Sequence, residues 1–356
     1  MKVVVGMSGG IDSSVTAYLL KKAGHEVIGV TMILWSERSG LKGKSARGNF
    51  CFSQDKTEDI IKIKEICKKI GIEHLVLNLS QSFEDSVLRN FKDEYMGGRT
   101  PNPCVWCNPT IKFGAFWDEI KNQGIEFDAF ATGHYARIDK INGRYCLRQG
   151  KDPKKDQSYF LYRLSQEQLS HILFPLGESV KTDVRKIDTQ MGFHPEEQKE
   201  SQDFFDGDYA ELLNQEDEEG DIVDVHGKKL GVHHGIFHYT IGQRRRLGVS
   251  SNRPLYVVEL DPEKNRVIVG YEENTYQTVV KANNCVWGSR LDFPTTGLSA
   301  KIRSTGQPIP ASVVKEADGS ITATFSQKVK AATNGQSLVV YEGDTIVAGG
   351  IISSSF

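Results

Sequence analysis

Valine fills positions Val3–Val5, and this apolar run, closed by Gly6, predicts a buried strand at the start of the chain. A glycine turn follows it, then a helix over Ser14–Ala23. Val27–Met32 predicts a second strand. Thr57–Lys69 predicts a helix, with Ile60, Ile61, Ile63 and Ile66 at helical spacing. His74–Asn78 and Ala129–Thr132 continue the strands, and Thr110–Lys121 reads as a further helix. From Tyr159 to Asp208 the chain reads helical, over Gln166–Leu173 and Thr182–Met191. Alternating strands and helices argue for an α/β fold with a doubly wound sheet, its ligands at the carboxyl ends of the strands. Ser36–Gln54, rich in Gly, Lys and Ser and without periodicity, is expected to be a mobile loop over that site.

After Gly220 the pattern changes to short alternating strands: Ile222–Val225, Gly235–Ile241, Leu255–Leu260 and Arg266–Val269. Turns recur at Gly227, Asp318-Gly319 and Glu342-Gly343-Asp344, as in small β-barrel modules. The expected division is an α/β domain over 1–208, a central β domain over 209–280 and a C-terminal β-barrel over 281–356.

A length of 356 residues allows two or three domains, and 38% apolar residues support globular cores. No apolar run approaches the ~18 residues of a membrane span. Met1 leads into a strand with no leader pattern, so a cytoplasmic protein with no membrane partner is expected. Six cysteines in a chain of this length do not suggest a disulfide scaffold. The net charge of −2 means that any polyanion must be met by a local basic patch.

Met7-Ser8-Gly9-Gly10-Ile11-Asp12-Ser13-Ser14 carries the first chemistry. A strand, a tight glycine turn and a helix start aim backbone N–H groups and the positive helix end at an anion. Gly9 and Gly10 let the backbone approach a phosphate, and Ser8, Ser13 and Ser14 are expected to add hydroxyl donors. There is no Gly-Lys-Ser/Thr, so this is not the loop that grips β/γ-phosphates for hydrolysis. Ser-Gly-Gly-x-Asp-Ser instead resembles the PP-loop of ATP pyrophosphatases. Such loops cradle pyrophosphate while an acceptor attacks the α-phosphate.

Arg99-Thr-Pro-Asn-Pro-Cys104-Val-Trp-Cys107-Asn108 is the second signal: an extended loop between prolines, with Cys-x-x-Cys before the helix expected at Thr110. A thiol near a helix N-terminus has its thiolate stabilised and becomes nucleophilic. A zinc half-site is the rival reading, but no second Cys-x-x-Cys or His pair has suitable spacing. Buried structural thiols are the third reading. Cys67, Cys146 and Cys285 read as core residues, and Cys51 falls in the expected loop. In Ala131-Thr-Gly-His134-Tyr-Ala-Arg137, at the end of a strand, Gly133 gives room for adenine or ribose and His134 offers a polar contact. Lys154-Lys155-Asp156-Gln157-Ser158-Tyr159 and His238-Tyr-Thr-Ile-Gly-Gln-Arg244-Arg245-Arg246 bring cations and aromatics together. With Lys301, Arg303, Lys328 and Lys330, they suggest an RNA substrate.

These motifs, in this order, resemble the tRNA-specific 2-thiouridylases (the MnmA/TrmU family) over nearly the whole chain. The matching stretches are Gly6–Ser13, Gly98–Asn108, Ala131–Arg137, Lys155–Leu161, Tyr239–Arg244 and Gly349–Ile352. The resemblance implies a PP-loop ATP pyrophosphatase domain, of the adenine nucleotide α-hydrolase-like kind, then a central β domain and a C-terminal β-barrel that together clasp tRNA. It implies ATP and Mg2+, and transfer of adenylate to O2 of the wobble uridine, position 34. Sulfur from a donor or sulfur-relay protein then displaces AMP.

Carried across, Gly6, Met7, Ser8, Gly9, Gly10, Ile11, Asp12 and Ser13 hold the phosphates, with Asp12 counted among the catalytic residues; Met32 and Gly133 lie near the adenosine. Asn102, Pro103 and Cys104 lie beside the base, and Cys107 is the nucleophile. His134, Lys155, Asp156, Gln157, Arg303, Ser304 and Gln336 fall at RNA-contacting positions. One departure stands out. The family commonly carries a second cysteine where this chain has Glu200-Ser-Gln-Asp-Phe-Phe-Asp-Gly-Asp208. Cys104 is the expected substitute, with Cys51 behind it; an iron–sulfur cluster on Cys104, Cys107 and a third ligand stays open. So do two other readings: a PP-loop paralogue with another acceptor or nucleophile, and a degenerate RNA-binding protein.

Overall fold

Val3, Val4 and Val5 are fully buried because β1 (Lys2–Gly6) runs through the middle of a five-stranded parallel sheet. The structure, a computed structural model, describes residues 1–36, 57–197, 212–213, 216–290, 293 and 296–356. Cys51, nearly all of the expected loop 36–54, and the stretch 200–208 lie outside the described residues.

Contacts divide the chain into two units. The first holds residues 1–88, 103–207 and 344–346, and the second holds 89–102, 208–343 and 347–356. In the first, β1 is followed by β2 (Glu26–Ile33), β3 (Glu73–Asn78) and β4 (Ala129–Ala131). A hairpin of β5 (Ala136–Ile141) and β6 (Arg144–Gln149) comes next, then β7 (Ile172–Leu173). The sheet order β3-β2-β1-β4-β7 reverses direction between β1 and β4, which pair in parallel from Val3↔Ala129 to Val5↔Ala131. In doubly wound sheets such a reversal opens the ligand crevice at the carboxyl ends of its two strands. The Ile11–Lys22 and Thr57–Ile70 helices pack on the sheet, the latter burying Ile63, Ile66 and Cys67 while Ile61 stays 54% exposed. Asp344 belongs to this unit too: it accepts hydrogen bonds from Arg137 Nη2 at 2.6 Å and from Arg148 Nε and Nη2 at 3.0 and 2.8 Å.

Three expectations change in this unit. The first helix begins at Ile11 rather than Ser14, so Asp12 and Ser13 lie in its first turn. The helix expected over Gln166–Leu173 stops at Ser170, because Ile172 and Leu173 are taken by pairing with Phe130 and Ala131. Helix starts at Pro103, covering the Cys-x-x-Cys, and runs as π-helix over Asn108–Ala115 before the Phe116–Asn122 helix.

The second unit has two β assemblies. In one, β8 (Gly220–Asp224), β9 (Lys229–His233), β10 (Tyr256–Asp261) and β11 (Arg266–Gly270) order as β10-β11-β8-β9, with a core of Ile222, Val257, Val267 and Val269. The strand expected over Gly235–Ile241 is instead a tight turn, since Gly235 has φ +146 and Ile236–His238 coil into a 3₁₀ turn. The other is a closed barrel of β12 (Tyr276–Trp287), β13 (Leu298–Lys301), β14 (Ile309–Lys315), β15 (Ile321–Lys330), β16 (Ser337–Glu342) and β17 (Thr345–Ser355). Pairing of β12 with both β15 and β17 closes the ring around Val280, Ala323, Leu338, Val340 and Ile352.

Candidate functional site

β1 ends at Gly6, and the chain turns through Met7–Gly10 into the Ile11–Lys22 helix. Gly9 has φ +83, and a Cβ there would come within 3.2 Å of Ile63, so the turn needs glycine on both counts. Gly10 caps the helix with no side-chain hydrogen bond, which leaves the first-turn amides for an anion. The Ser13 and Ser14 hydroxyls do not add donors as expected. Both turn inward and donate to the Gly10 carbonyl at 3.0 and 3.1 Å, while Ser8 N donates to Ser13 Oγ at 3.3 Å. Ser8 is exposed with its Oγ 3.2 Å from Ser13 Oγ, so the loop offers that hydroxyl together with the backbone N–H groups after Ser8.

Asp12 is gripped from two sides. Its Oδ1 accepts from Lys181 Nζ at 2.7 Å and from the Tyr135 hydroxyl at 2.8 Å. Lys181 opens the Lys181–Met191 helix and its side chain is only 9% exposed, a buried ammonium beside the glycine turn. Neither partner was expected from sequence. Tyr135 lies inside the Ala131–Arg137 motif, but nothing near Lys181 signals its role. Gly133 faces the same turn: a Cβ there would stand 2.7 Å from the Asp12 carbonyl carbon and 2.9 Å from Ser13 N. Its missing side chain is explained by the approach of the helix, a reason separate from room for a nucleoside. Gly6 lies under the Phe130 ring edge, and Met32 is half-buried in β2.

The 155–157 turn is tied to this network. Gln157 Oε1 accepts from Tyr135 N at 3.0 Å, and Gln157 N donates to the Tyr135 carbonyl at 2.9 Å. The Asp156 carboxylate accepts from Gly150 N, Ser158 N, Ser158 Oγ and Gln149 Nε2, each at 3.1 Å, so it shapes the turn from within. Lys155 is half-buried. His134 Nδ1 lies 2.7 Å from Thr132 Oγ1, between the Phe113 and Phe174 rings. Burial first, and the Lys112 cation second, hold its pKa well below 6.5, so the imidazole is neutral at pH 7.

The thiols stand on a helix, not before one. Pro103 occupies the first helical position, where its missing N–H costs nothing, and Cys104 and Cys107 follow in the same turn. Cys104 is half-buried and Cys107 is 7% exposed; neither is in a disulfide. Asn108 Nδ2 donates to the Phe160 carbonyl at 2.9 Å, and Gln168 Nε2 donates to the Pro109 and Phe113 carbonyls, both at 2.8 Å. The Arg163 guanidinium lies 4.3 Å over the Trp106 ring. Burial pushes the Cys67 thiol up to about 12, so it stays protonated in the core. Among the described residues no three His, Cys, Asp or Glu side chains converge as a metal site. Among the described residues Cys104 and Cys107 supply two of the ligands an iron–sulfur cluster would need, and Cys51 lies outside them.

The remaining expected residues belong to the second unit. Asn102 and Ser304 are half-buried and Arg303 is exposed. Gln336 Nε2 donates to the Thr100 carbonyl at 2.9 Å, and Thr100 N donates to the Asn334 carbonyl at 2.8 Å, fastening the 99–102 segment to the barrel. Arg244, Arg246 and Arg253 line an open depression of about 540 Å³ with Ser250, Ser251 and Asn252.

Three family models match in succession: the tRNA methyl transferase HUP domain over residues 1–205, the tRNA methyl transferase PRC-barrel domain over 210–271 and the aminomethyltransferase beta-barrel domain over 277–352. Full-length relatives carry a different activity in their names. The tRNA-specific 2-thiouridylase MnmA 1 of Caldanaerobacter subterraneus subsp. tengcongensis is 45% identical, over 99% of this chain and 97% of the relative. The tRNA-specific 2-thiouridylase MnmA of Endomicrobium trichonymphae is 41% identical over 99% of both chains, and that of Clostridioides difficile 40% identical over 99% and 98%. A solved 4-thiouridine synthetase–RNA complex with bound ATP is similar at a TM-score of 0.32 and 16% identity, over 60% of this chain and 42% of that chain, too distant to bear on function.

Proposed function

The chain belongs to the MnmA family of tRNA-specific 2-thiouridylases, and on that premise we propose that it thiolates the wobble uridine of tRNA at position 34, using ATP. The uridine O2 attacks the α-phosphorus of ATP, pyrophosphate leaves, and the base carries AMP on O2. A sulfur nucleophile then attacks C2 and AMP departs, since adenylation has made the carbonyl oxygen a good leaving group. The observation that carries this reading is the glycine turn of Ser8–Gly10, with its uncapped helix start and the buried Lys181–Asp12 pair beside it. Backbone donors and a fixed cation suit a leaving pyrophosphate.

In this reading Gly6–Ser13 hold the phosphates, and Met32 and Gly133 border the adenosine. Mg2+ would arrive on the nucleotide's own phosphates and neutralise their charge. Cys107 takes the donor's outer sulfur as a persulfide, and that sulfur attacks C2. Cys104, three residues away on the same helix, then attacks the Cys107 sulfur, 2-thiouridine leaves, and the resulting Cys104–Cys107 disulfide is reduced by an external thiol. Asn102 and Pro103 border the base. His134, Lys155, Arg303, Ser304 and Gln336 meet RNA, while Asp156 and Gln157 shape the turn that carries Lys155. A persulfide-bearing donor or relay protein supplies the sulfur, in a cytoplasmic setting.

The test is nucleoside mass spectrometry on tRNA incubated with the protein, ATP, Mg2+ and a persulfide donor, with pyrophosphate followed in parallel. New 2-thiouridine at position 34 is the expected result. Pyrophosphate release without a thiolated nucleoside would sink the sulfur half of the proposal, and no tRNA-dependent pyrophosphate would sink the whole.

A further inference from the structure

A carbonyl oxygen only accepts hydrogen bonds, and this fixes what His194 does to the glycine turn. His194 Nε2 lies 3.0 Å from the Gly9 carbonyl oxygen, so that nitrogen carries the hydrogen. Its other ring nitrogen, Nδ1, lies 2.7 Å from Asp188 Oδ1, and since a carboxylate likewise only accepts, Nδ1 donates there and both ring nitrogens carry a hydrogen in this arrangement. Both side chains are buried, at 6% and 5% exposure. Asp188 is in the Lys181–Met191 helix; the chain leaves that helix through Gly192, in the left-handed conformation at φ +60, and His194 follows. Lys69 Nζ donates to the Gly192 carbonyl at 2.9 Å, which holds the exit in place.

A planar trans peptide points its C=O and N–H in opposite directions. Tethering the Gly9 carbonyl to His194 therefore turns the Gly10 N–H away from the ring. A peptide between two glycines flips at little steric cost, and the flipped form would set a carbonyl oxygen where a donor is needed for a phosphate. The neighbouring carbonyl is held the same way. Thr31 Oγ1 donates to the Met7 carbonyl at 2.9 Å, and His74 Nε2, 2.9 Å from that hydroxyl, supplies the hydrogen between them. We propose that His194, oriented by Asp188, is a positioning residue for nucleotide binding that locks the Gly9–Gly10 peptide with its N–H toward the phosphates. This rests on reading the glycine turn as the ATP phosphate site.

Pyrophosphate release is measured with ATP and tRNA varied separately, in wild type, His194→Asn and His194→Gln. The Asn amide matches the Nδ1 position and keeps the Asp188 bond but falls short of Gly9; the Gln amide reaches the Nε2 position. His194→Asn is expected to raise KM for ATP about tenfold, the worth of one buried hydrogen bond, with KM for tRNA unchanged. His194→Gln restores KM for ATP to within about threefold of wild type. A residue that merely packs would, on replacement, reduce the folded fraction and so the apparent kcat, leaving KM for ATP alone; that pattern, or equal effects of Asn and Gln, overturns the proposal. Should His194→Asn not fold, Asp188→Asn and Asp188→Ala give a second reading. The amide still orients the ring, so only Asp188→Ala raises KM for ATP, and an unchanged KM in both overturns the proposal. Wild type that releases no pyrophosphate fails at the earlier step, the nucleotide reading itself.

Discussion

The glycine turn and the Cys-x-x-Cys helix are the two chemically charged regions of the first unit, and both draw anchors from distant parts of the chain but at different places: on the turn itself, and beyond the thiols on the helix. The turn is fastened by residues far away in sequence: Thr31 behind Met7, His194 behind Gly9, Lys181 and Tyr135 on Asp12. The thiol helix starts at Pro103 and has its anchors beyond the thiols, where Asn108 donates to the Phe160 carbonyl and Gln168 to the Pro109 and Phe113 carbonyls, 52 to 59 positions away. It then widens into a π-helical stretch directly after Cys107. A phosphate site works by holding backbone donors still before the ligand arrives, so it draws anchors from several elements. A thiol that must reach a carbon atom and later be regenerated gains from a wider helix braced beyond the thiols; π-turns gather at functional sites.

If the two regions serve successive steps, damage to one should leave the other's step intact. Cys107→Ser gives the largest effect: 2-thiouridine formation is expected to fall by about a thousandfold or more, with tRNA-dependent pyrophosphate release within about twofold of wild type. Nucleoside mass spectrometry against a pyrophosphate assay measures both. Pyrophosphate release falling in step with thiolation would erase the distinction between the regions.

The converse is Lys181→Met. It leaves the Asp12 carboxylate beside the turn with the Tyr135 hydroxyl but no cation. Pyrophosphate release is expected to drop by about a hundredfold, and thiolation with it. Unfolding in urea should show a loss of about 2 kcal/mol, since the ion pair is buried on the lysine side and a third exposed on the aspartate side. Normal pyrophosphate release by a folded Lys181→Met protein would remove Lys181 from the site.

Gly133→Ala is the milder probe of the same region. The added Cβ would press on Asp12 and Ser13 at under 3 Å, where only backbone and a short side chain can yield. A cost of about 1–3 kcal/mol in unfolding free energy is expected, with a several-fold rise in KM for ATP. An alanine variant of full stability would mean that the helix start can retreat, and that the turn is less rigid than its anchors suggest.

These asymmetries explain what the sequence disclosed. Uniform burial makes β1 legible, because Val3–Val5 leave no other reading, and the doubly wound order follows from the alternation of strands and helices. The thiol helix was misread because Pro101 and Pro103 mark a loop in most contexts, whereas Pro103 sits where a helix start tolerates it. Gly235–Ile241 alternates like a strand, yet Gly235 at φ +146 coils it. Ser13 and Ser14 looked like ligand donors, and local geometry turned both back to Gly10. Lys181 and His194 had no signal, since their partners lie 169 and 185 positions away and only the fold unites them.

His134 lies on the seam between the regions, bonded to Thr132 at the end of β4 and packed against Phe113 of the π-helical stretch. Its pH dependence is the smallest effect and the most specific. Burial, with Lys112 nearby, keeps the folded imidazole neutral well below 6.5. The unfolded chain takes up the proton first as pH falls through 6.5, so acidification favours unfolding. The slope reaches about 1.4 kcal/mol per pH unit between 6.5 and the folded value, and above 6.5 this group contributes none. His74, by burial and then Lys64, and His233, chiefly by burial, shift the same way, so the wild-type curve contains all three. The difference between wild type and His134→Gln isolates one. Urea unfolding at pH 7.5 and 5.5 is expected to show a smaller acid loss in the variant, by about 1 kcal/mol. Equal losses would mean that His134 accepts its proton in the folded state, and that the seam opens to water more readily than the ring packing of Phe113 and Phe174 implies.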